Sequence, residues 1–292
     1  MADLMVGLDP EFLAVAGDRI VPAEKFLPAP IRTGGKLNAY SYDNACAELR
    51  PDPHAIPGVV VGRMRSLMFT VRMRISSAKD SGAVPPNTDI SLSPSGQLSD
   101  EDRGLKSVAE FGCSPSMNVM EDLRTSVTMP NCTADTTPFR SAGFHIHHGV
   151  TDAASTQIMV AILDVLLGLY DVTMCHHLAH DEASRIRRQE VGYGRAGEYR
   201  QRVVASGDVV LEYRVMSPWM LASDDSVRLI KIMSQICTLP LDKLMDLLSS
   251  MPPRPAVMDA INHTQPEIAS DLWENAMKVW QQKILHYTGV KA

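Results

Sequence analysis

The sequence predicts an α+β fold in one domain over residues 1–292, with residues 223–292 as a helical C-terminal extension. Three observations lead there. Short alternating stretches between Gly- and Pro-rich turns read as strands. Longer stretches with apolar residues three and four apart read as helices. The length of 292 residues would allow two domains at roughly 150 residues each. No internal repeat and no linker composition divides the chain, so short strands among long helices are expected to share one core.

Residues 4–16 read as a strand entering a hairpin. Met5-Val6-Gly7-Leu8 leads through Asp9-Pro10-Glu11 to Phe12-Leu13-Ala14-Val15, and Ala16-Gly17-Asp18 turns into a return strand at 19–21. Residues 22–38, rich in Pro and Gly, read as a loop. Residues 45–49 form a short strand closing at Arg50-Pro51. From 57 to about 76 the pattern is helical, with Val60, Met64, Leu67, Met68 and Val71 on one face and Arg63, Arg65, Arg72 and Arg74 around it. Residues 79–107, with Pro85-Pro86 and Pro94, read as a long surface excursion. Residues 108–118 read as a strand followed by a turn. His145-Ile146-His147 alternates as a strand does, and a long helix follows over 151–180 with Asp152 as its N-cap. Its apolar stretch, 158–174, is broken by Asp164 and Asp171, so it reads as a buried helix and not a membrane span. Residues 209–216 form a strand. Three or four helices complete the chain, ending with 267–287.

Composition narrows the function classes. At 45% hydrophobic and 21% charged residues, this is an ordinary folded chain. Asp+Glu outnumber Lys+Arg by 34 to 28, and the net charge of −6 argues against nonspecific wrapping of nucleic acid. The five cysteines are odd in number, scattered and free of any C-x-x-C pair, which reads as free thiols in a reducing cytoplasm. The N-terminal MADLMVGLDPEF lacks the basic and apolar regions of a signal peptide.

The chemistry-bearing residues recur at a spacing of two. On a strand, i and i+2 share a face. Asp9 and Glu11 therefore point together and repel unless a cation lies between them; Mg²⁺, an oxygen-seeking ion, would suit them. Taken alone they could equally be two solvated acids at a strand end. Glu48 and Arg50 share a face as either an ion pair or a metal ligand beside an anion clamp. His145 and His147 share a face, and imidazole ligates metals or donates to phosphate. Glu212 and Arg214 repeat the Glu-x-Arg pattern. Arg195 and Arg200 sit in a Gly- and Arg-rich stretch over 185–202, after Arg187-Arg188 and Tyr193. This stretch reads as an exposed basic loop or a phosphate cradle, although its spacing is not that of a Walker loop. His176 and His180 are spaced for zinc but lack an accompanying HExxH acid, so a helix surface is the simpler reading. Four strands aiming acids, imidazoles and arginines at one concave face would make a metal–nucleotide site.

The order of GLDPEF, AELRP, FGCSPSMN, SAGFHIHHG, YGRAGEYR and LEYRVMSPW resembles a known family. It is similar to the phage-encoded carboxylate–amine ligases of the phiEco32-like "COOH-NH2 ligase type 2" group, within the amidoligase superfamily that includes glutamine synthetase and glutamate–cysteine ligase. The resemblance spans Gly7 to about Trp219. It implies a curved antiparallel sheet of glutamine synthetase type, with helices packed on its outer face. It implies ATP with Mg²⁺ or Mn²⁺, and an amide bond made through an acyl phosphate from a small-molecule or peptide carboxylate and amine. It implies Asp9, Glu11, Glu48, His145 and Glu212 as metal ligands and Arg50, Arg195 and Arg214 as catalytic clamps. His147, Arg200 and Arg214 would bind nucleotide. It also implies a phage protein in the host cytoplasm. Ser114 and Ser116 depart from the family, which more often carries acids there. That departure motivates the alternative of an inactive scaffold serving as a virion or assembly component. The long helix and the C-terminal helices are compatible with a homo-oligomer.

Overall fold

A long strand with charged and apolar residues on opposite sides organises the molecule. The computed structural model describes residues 5–33, 36–109, 116–119, 125–128, 133–134, 136–150, 155–203 and 209–289. The strands are β1 (Val6–Ala16), β2 (Arg19–Val21), β3 (Arg32–Thr33), β4 (Lys36–Leu37), β5 (Tyr40–Asp43), β6 (Cys46–Leu49), β7 (Asp89–Ser91), β8 (Ser95–Gln97), β9 (Ser116–Val119), β10 (Thr125–Thr128), β11 (Phe139–Ser141), β12 (Phe144–Val150), β13 (Glu198–Val203) and β14 (Val209–Tyr213). The helices are α1 (Pro57–Asp80), α2 (Asp100–Arg103), α3 (Thr156–Leu163), α4 (Leu169–His177), α5 (Asp181–Arg185), α6 (Ser226–Cys237), α7 (Leu241–Leu248), α8 (Arg254–Asn262) and α9 (Pro266–Thr288).

Twelve of these strands form one mixed sheet, in the order β10-β9-β13-β14-β12-β1-β2-β8-β11, with β5, β6 and β7 branching beside β1. The sheet curls into a half-barrel. Its pairings are antiparallel except β2 with β8. β1 is the hub: its first half pairs with β12, Glu11 and Phe12 pair with β6, and its last residues pair with β7 and β2. The fold class is thus the α+β one predicted.

Alternation assigns the two faces of the sheet. Leu8 and Phe12 of β1, Phe144 and Ile146 of β12, Leu211 and Tyr213 of β14, and Tyr199 of β13 are buried among apolar side chains. The helices pack on that face: α1 lies against β1 and β6, and α6 against β12. α1 begins with Pro57 at its first turn, where the missing N–H costs nothing, and buries Val60, Val61, Met64, Met68, Val71 and Ile75. Helices α6 to α9 contribute to the same buried core through residues such as Ile230, Leu247, Ile261 and Trp280.

The central helix, Thr156–His177, is long and apolar enough to cross a membrane, yet 78% of its most apolar window is buried inside the fold. It serves as a core helix. A π-helical turn, Asp164–Gly168, joins α3 to α4 and brings Gly168 against the sheet. A Cβ there would lie 2.8 Å from Ile261 and 3.1 Å from the Tyr213 hydroxyl.

Several expectations are corrected. Residues 79–107 are not only a surface excursion, because β7 and β8 join the main sheet there. Strands of three residues are too short to display alternation, and their partners are distant in sequence. The strand expected from 108 onward lies later: Lys106–Val108 is a 3₁₀ turn and β9 begins at Ser116. Residues 110–115, including Ser114, lie outside the described residues, as does Asp152. The 22–38 loop contains a 3₁₀ turn and the small β3–β4 hairpin. The helix expected to reach His180 ends at His177, and the strand expected to reach Met216 ends at Tyr213. The 185–202 stretch is no exposed basic loop. Its first part is helical through Val191, and Arg187 and Arg188 are 0% and 1% exposed. Cys46, Cys175 and Cys237 are buried free thiols.

Candidate functional site

The face of the sheet turned away from the helices collects the charged residues. Register decides which of them meet. Asp9 stands opposite His145 across β1 and β12, and Glu212 on β14 stands opposite His147 on one side and Arg200 of β13 on the other. Glu11 stands opposite Glu48 across β1 and β6, and Ser41 of β5 lies on the far side of Glu48. Directly opposed residues share a sheet face. One curved row thus holds Arg200, Glu212, His147, His145, Asp9, Glu11, Glu48 and Arg50.

The contacts within the row are close. His147 Nε2 lies 2.7 Å from Asp9 Oδ1. His145 Nδ1 lies 3.3 Å from Asp9 Oδ1 and 3.8 Å from Glu212 Oε1. Arg214 pairs with Glu212, and Arg200 Nη1 reaches the same Oε1 at 3.5 Å. Arg50 pairs with Glu48 and donates to Ser41 Oγ at 2.9 Å. The Glu11 carboxylate accepts the Gly143 N–H at 3.2 Å.

The electrostatics of this row are unbalanced. Burial works to raise the Asp9 carboxyl, but the charges and hydrogen bonds of His147 and His145 outweigh it and hold the group well below the usual carboxylate range. Burial likewise opposes charge on His147, yet Asp9 beside it raises the imidazole. His145 is lowered by burial and by Arg214, against the pull of Asp9 and Glu212. Glu212 is lowered: burial works to raise it, but the charges of His145, Arg214 and His147 win. Glu11 behaves oppositely. Burial and the neighbouring Asp43 push its carboxyl up to about 8, against the pull of Arg214.

The donor set fits a divalent cation. Asp9, His147 and Glu212 each offer a ligand atom, and these atoms lie within 4.8 Å of one another. His147 Nδ1 is buried without a hydrogen-bond partner among the described residues. A mixed carboxylate and imidazole set suits Mn²⁺ as well as the harder Mg²⁺. His145 borders this trio. Glu11 and Glu48 face each other further along β1 and are not part of it. No second cluster of three such ligands occurs among the described residues; His176 pairs with Asp181 at 2.8 Å on the surface.

Arg195 is placed differently. Its Nε donates to the Arg188 carbonyl at 3.0 Å, on the helical side of its loop. The stretch that carries it is a scaffold. Arg188 pairs with Asp171 at 2.7 Å, and Arg187 donates to the carbonyls of Val215 and Met216 at 2.9 Å each. Two glycines with left-handed backbone make this packing possible. At Gly194 a Cβ would lie 2.3 Å from the Arg187 guanidinium carbon, and at Gly197 it would lie 2.8 Å from the Val119 carbonyl oxygen. Ser116, at the start of β9, is buried.

Asp43 escaped the sequence reading, and Tyr193 carries a role that its place in the Gly- and Arg-rich stretch does not signal. Asp43, on β5, acts electrically on both Glu11 and Arg50; it shares a strand face with Ser41, a signal hidden in a four-residue strand. Tyr193 hydrogen-bonds His145 Nε2, accepts from Arg214 Nη2 at 3.2 Å, and has Arg187 and Arg214 5.0 and 5.3 Å from its ring centre. It sits between Gly192 and Gly194, in a loop without periodicity.

No family model matches the chain, and no curated protein matches it. Among solved structures it is similar to a bifunctional glutathione synthetase from Pasteurella multocida, at 10% identity and a TM-score of 0.49. That match covers 97% of this chain and 44% of the other, so this chain spans under half the length of that protein.

Proposed function

We propose that this chain is an ATP-dependent carboxylate–amine ligase that uses Mg²⁺ or Mn²⁺. The observation that carries the reading is the convergence of Asp9, His147 and Glu212 within 4.8 Å on one sheet face that also bears Arg50, Arg200 and Arg214. The motif order described above supports the same chemistry. A carboxylate is a poor acyl donor because its oxygen leaves badly; a bound metal–ATP complex supplies the phosphoryl group that makes it a leaving group.

The chain's own residues have separable roles in this reading. Asp9, Glu212 and His147 hold the cation, with His145 beside them. Arg214 and Arg200 lie along Glu212 and neutralise phosphate oxygens. Arg50, held by Glu48 and Ser41, orients the substrate carboxylate. Tyr193 fixes the His145 ring by holding its Nε2 and keeps Arg214 in line. The Glu11 carboxyl, raised by burial and by Asp43, lies where a bound cation would lower the cost of ionisation.

Calorimetry of ATP with Mg²⁺, with Mn²⁺ and with EDTA tests the proposal. Metal-dependent binding that falls at least tenfold in Glu212→Gln, with an unchanged circular dichroism spectrum, is expected. A wild-type chain that binds no nucleotide with either metal contradicts it and leaves a scaffold without chemistry.

A further inference from the structure

A cleft of about 530 Å³ opens beside the charged row, between the β3–β4 hairpin and the first half of α1. Its walls carry three cations, Lys36, Arg50 and Arg63, against one carboxylate, Asp52. This local excess of positive charge stands in a chain whose net charge is −6. Its remaining lining is largely apolar, with half-buried Leu37 and Leu67 and buried Pro51.

The cations are held in different ways. Arg63 Nη1 donates to the backbone carbonyls of Asp52 and Pro53 at 3.0 and 3.4 Å, which anchors the guanidinium at the cleft. Its Nη2 and Nε have no protein partner among the described residues, and they form an edge suited to a carboxylate. Among the described residues Lys36 makes only an exposed 3.4 Å pair with Asp52, of the kind that adds little stability and yields to a competing anion. Arg50 lines the cleft and also pairs with Glu48, which faces Glu11 in the row. It is the wall common to both spaces.

We propose that this cleft holds the second acidic end of a dicarboxylate substrate, an inference that rests on the ligase reading. The reacting carboxylate lies at the row beside Arg50. The hydrocarbon spacer runs over Leu37, Pro51 and Leu67, and the far carboxylate binds Arg63 with Lys36. An apolar floor between two cationic ends selects a diacid over a monoacid, which would leave Arg63 without its anion.

Binding of glutarate, adipate and suberate to the full chain is measured by saturation-transfer NMR in EDTA, against pentanoate and inorganic phosphate. At least one diacid is expected to bind saturably, tenfold or more tightly than either control. Arg63→Gln, and Ser66→Trp which fills the cleft from an exposed helix position, are each expected to weaken it tenfold or more with the fold intact by circular dichroism. The proposal is overturned if no diacid saturates, if pentanoate or phosphate binds as tightly, or if both variants bind like wild type. Metal–ATP binding by the wild-type chain, measured in parallel, reports on the ligase reading separately. A chain that binds the diacid through Arg63 but no nucleotide keeps the cleft and rejects the ligase.

Discussion

Two charged networks lie side by side in this molecule, and they are wired differently. In the first, Arg188 and Asp171 are fully buried and 2.7 Å apart. Asp171 also accepts the Ser217 N–H at 2.8 Å, the Ser217 hydroxyl at 2.7 Å and the Trp219 indole N–H at 2.6 Å. Both its oxygens are used, and the network closes on itself. In the second, Asp9, Glu11, Asp43, Glu48 and Glu212 share a face with Arg50, Arg200 and Arg214, and Glu11 is pushed up to about 8. The difference teaches that burial of charge does not by itself mark a functional site. Convergence does, because several acids and imidazoles aimed at one face offer a cation a set of ligands.

The largest effect should come from opening the closed network. Arg188→Ala leaves Asp171 buried without its cation and should cost about 3–5 kcal/mol, read as a fall in the urea midpoint. A loss within 1 kcal/mol would show that the network is not the scaffold described here. Next comes Asp164, a buried acid whose burial outweighs the pull of Arg254. Burial pushes it from an ordinary 3.8 up to about 7, against hydrogen bonds from Tyr213 and Gly197. The folded state therefore binds its proton more tightly than the unfolded chain does. Its contribution is complete below about pH 4 and is lost as pH rises toward 7, by roughly 4 kcal/mol at most. Asp164→Asn, which keeps an acceptor for Tyr213, should flatten that slope in urea melts; an unchanged slope would place the titration elsewhere.

The open network should respond in binding instead of stability. Glu11→Gln removes a charge that the fold already disfavours. Its stability relative to wild type should rise between about pH 4.5 and 8, while metal-dependent ATP affinity falls about tenfold, close to 1.4 kcal/mol. Lower stability at pH 8 would mean that the row is compensated after all. The smallest effect calibrates the rest. Arg65 meets Asp224 at 3.3 Å on the surface, and Arg65→Ala should stay within about 0.5 kcal/mol in the same melts.

Much of this face was legible because period two is a local signal. Asp9 with Glu11, Glu48 with Arg50, His145 with His147 and Glu212 with Arg214 each show it within three residues. What could not be read was register. Alternation says that Asp9 and Glu11 share a face, but only the pairing of β1 with β12 and then β6 says which meets His145 and which meets Glu48. Arg187 and Arg188 looked like a solvated basic stretch because their partners are backbone carbonyls and acids far along the chain. The same distance hid β7 and β8, where pairing with β1 and β11 overrides a composition that reads as loop.

The central claim is that the Asp9–His147–Glu212 trio holds a divalent cation. Anomalous diffraction at the manganese edge, from crystals of the protein grown with Mn²⁺ and ATP, tests it most directly. The account predicts a peak within bonding distance of Asp9, His147 and Glu212, lost in the Glu212→Gln protein. A well-occupied manganese peak elsewhere, with none at this trio, would contradict it.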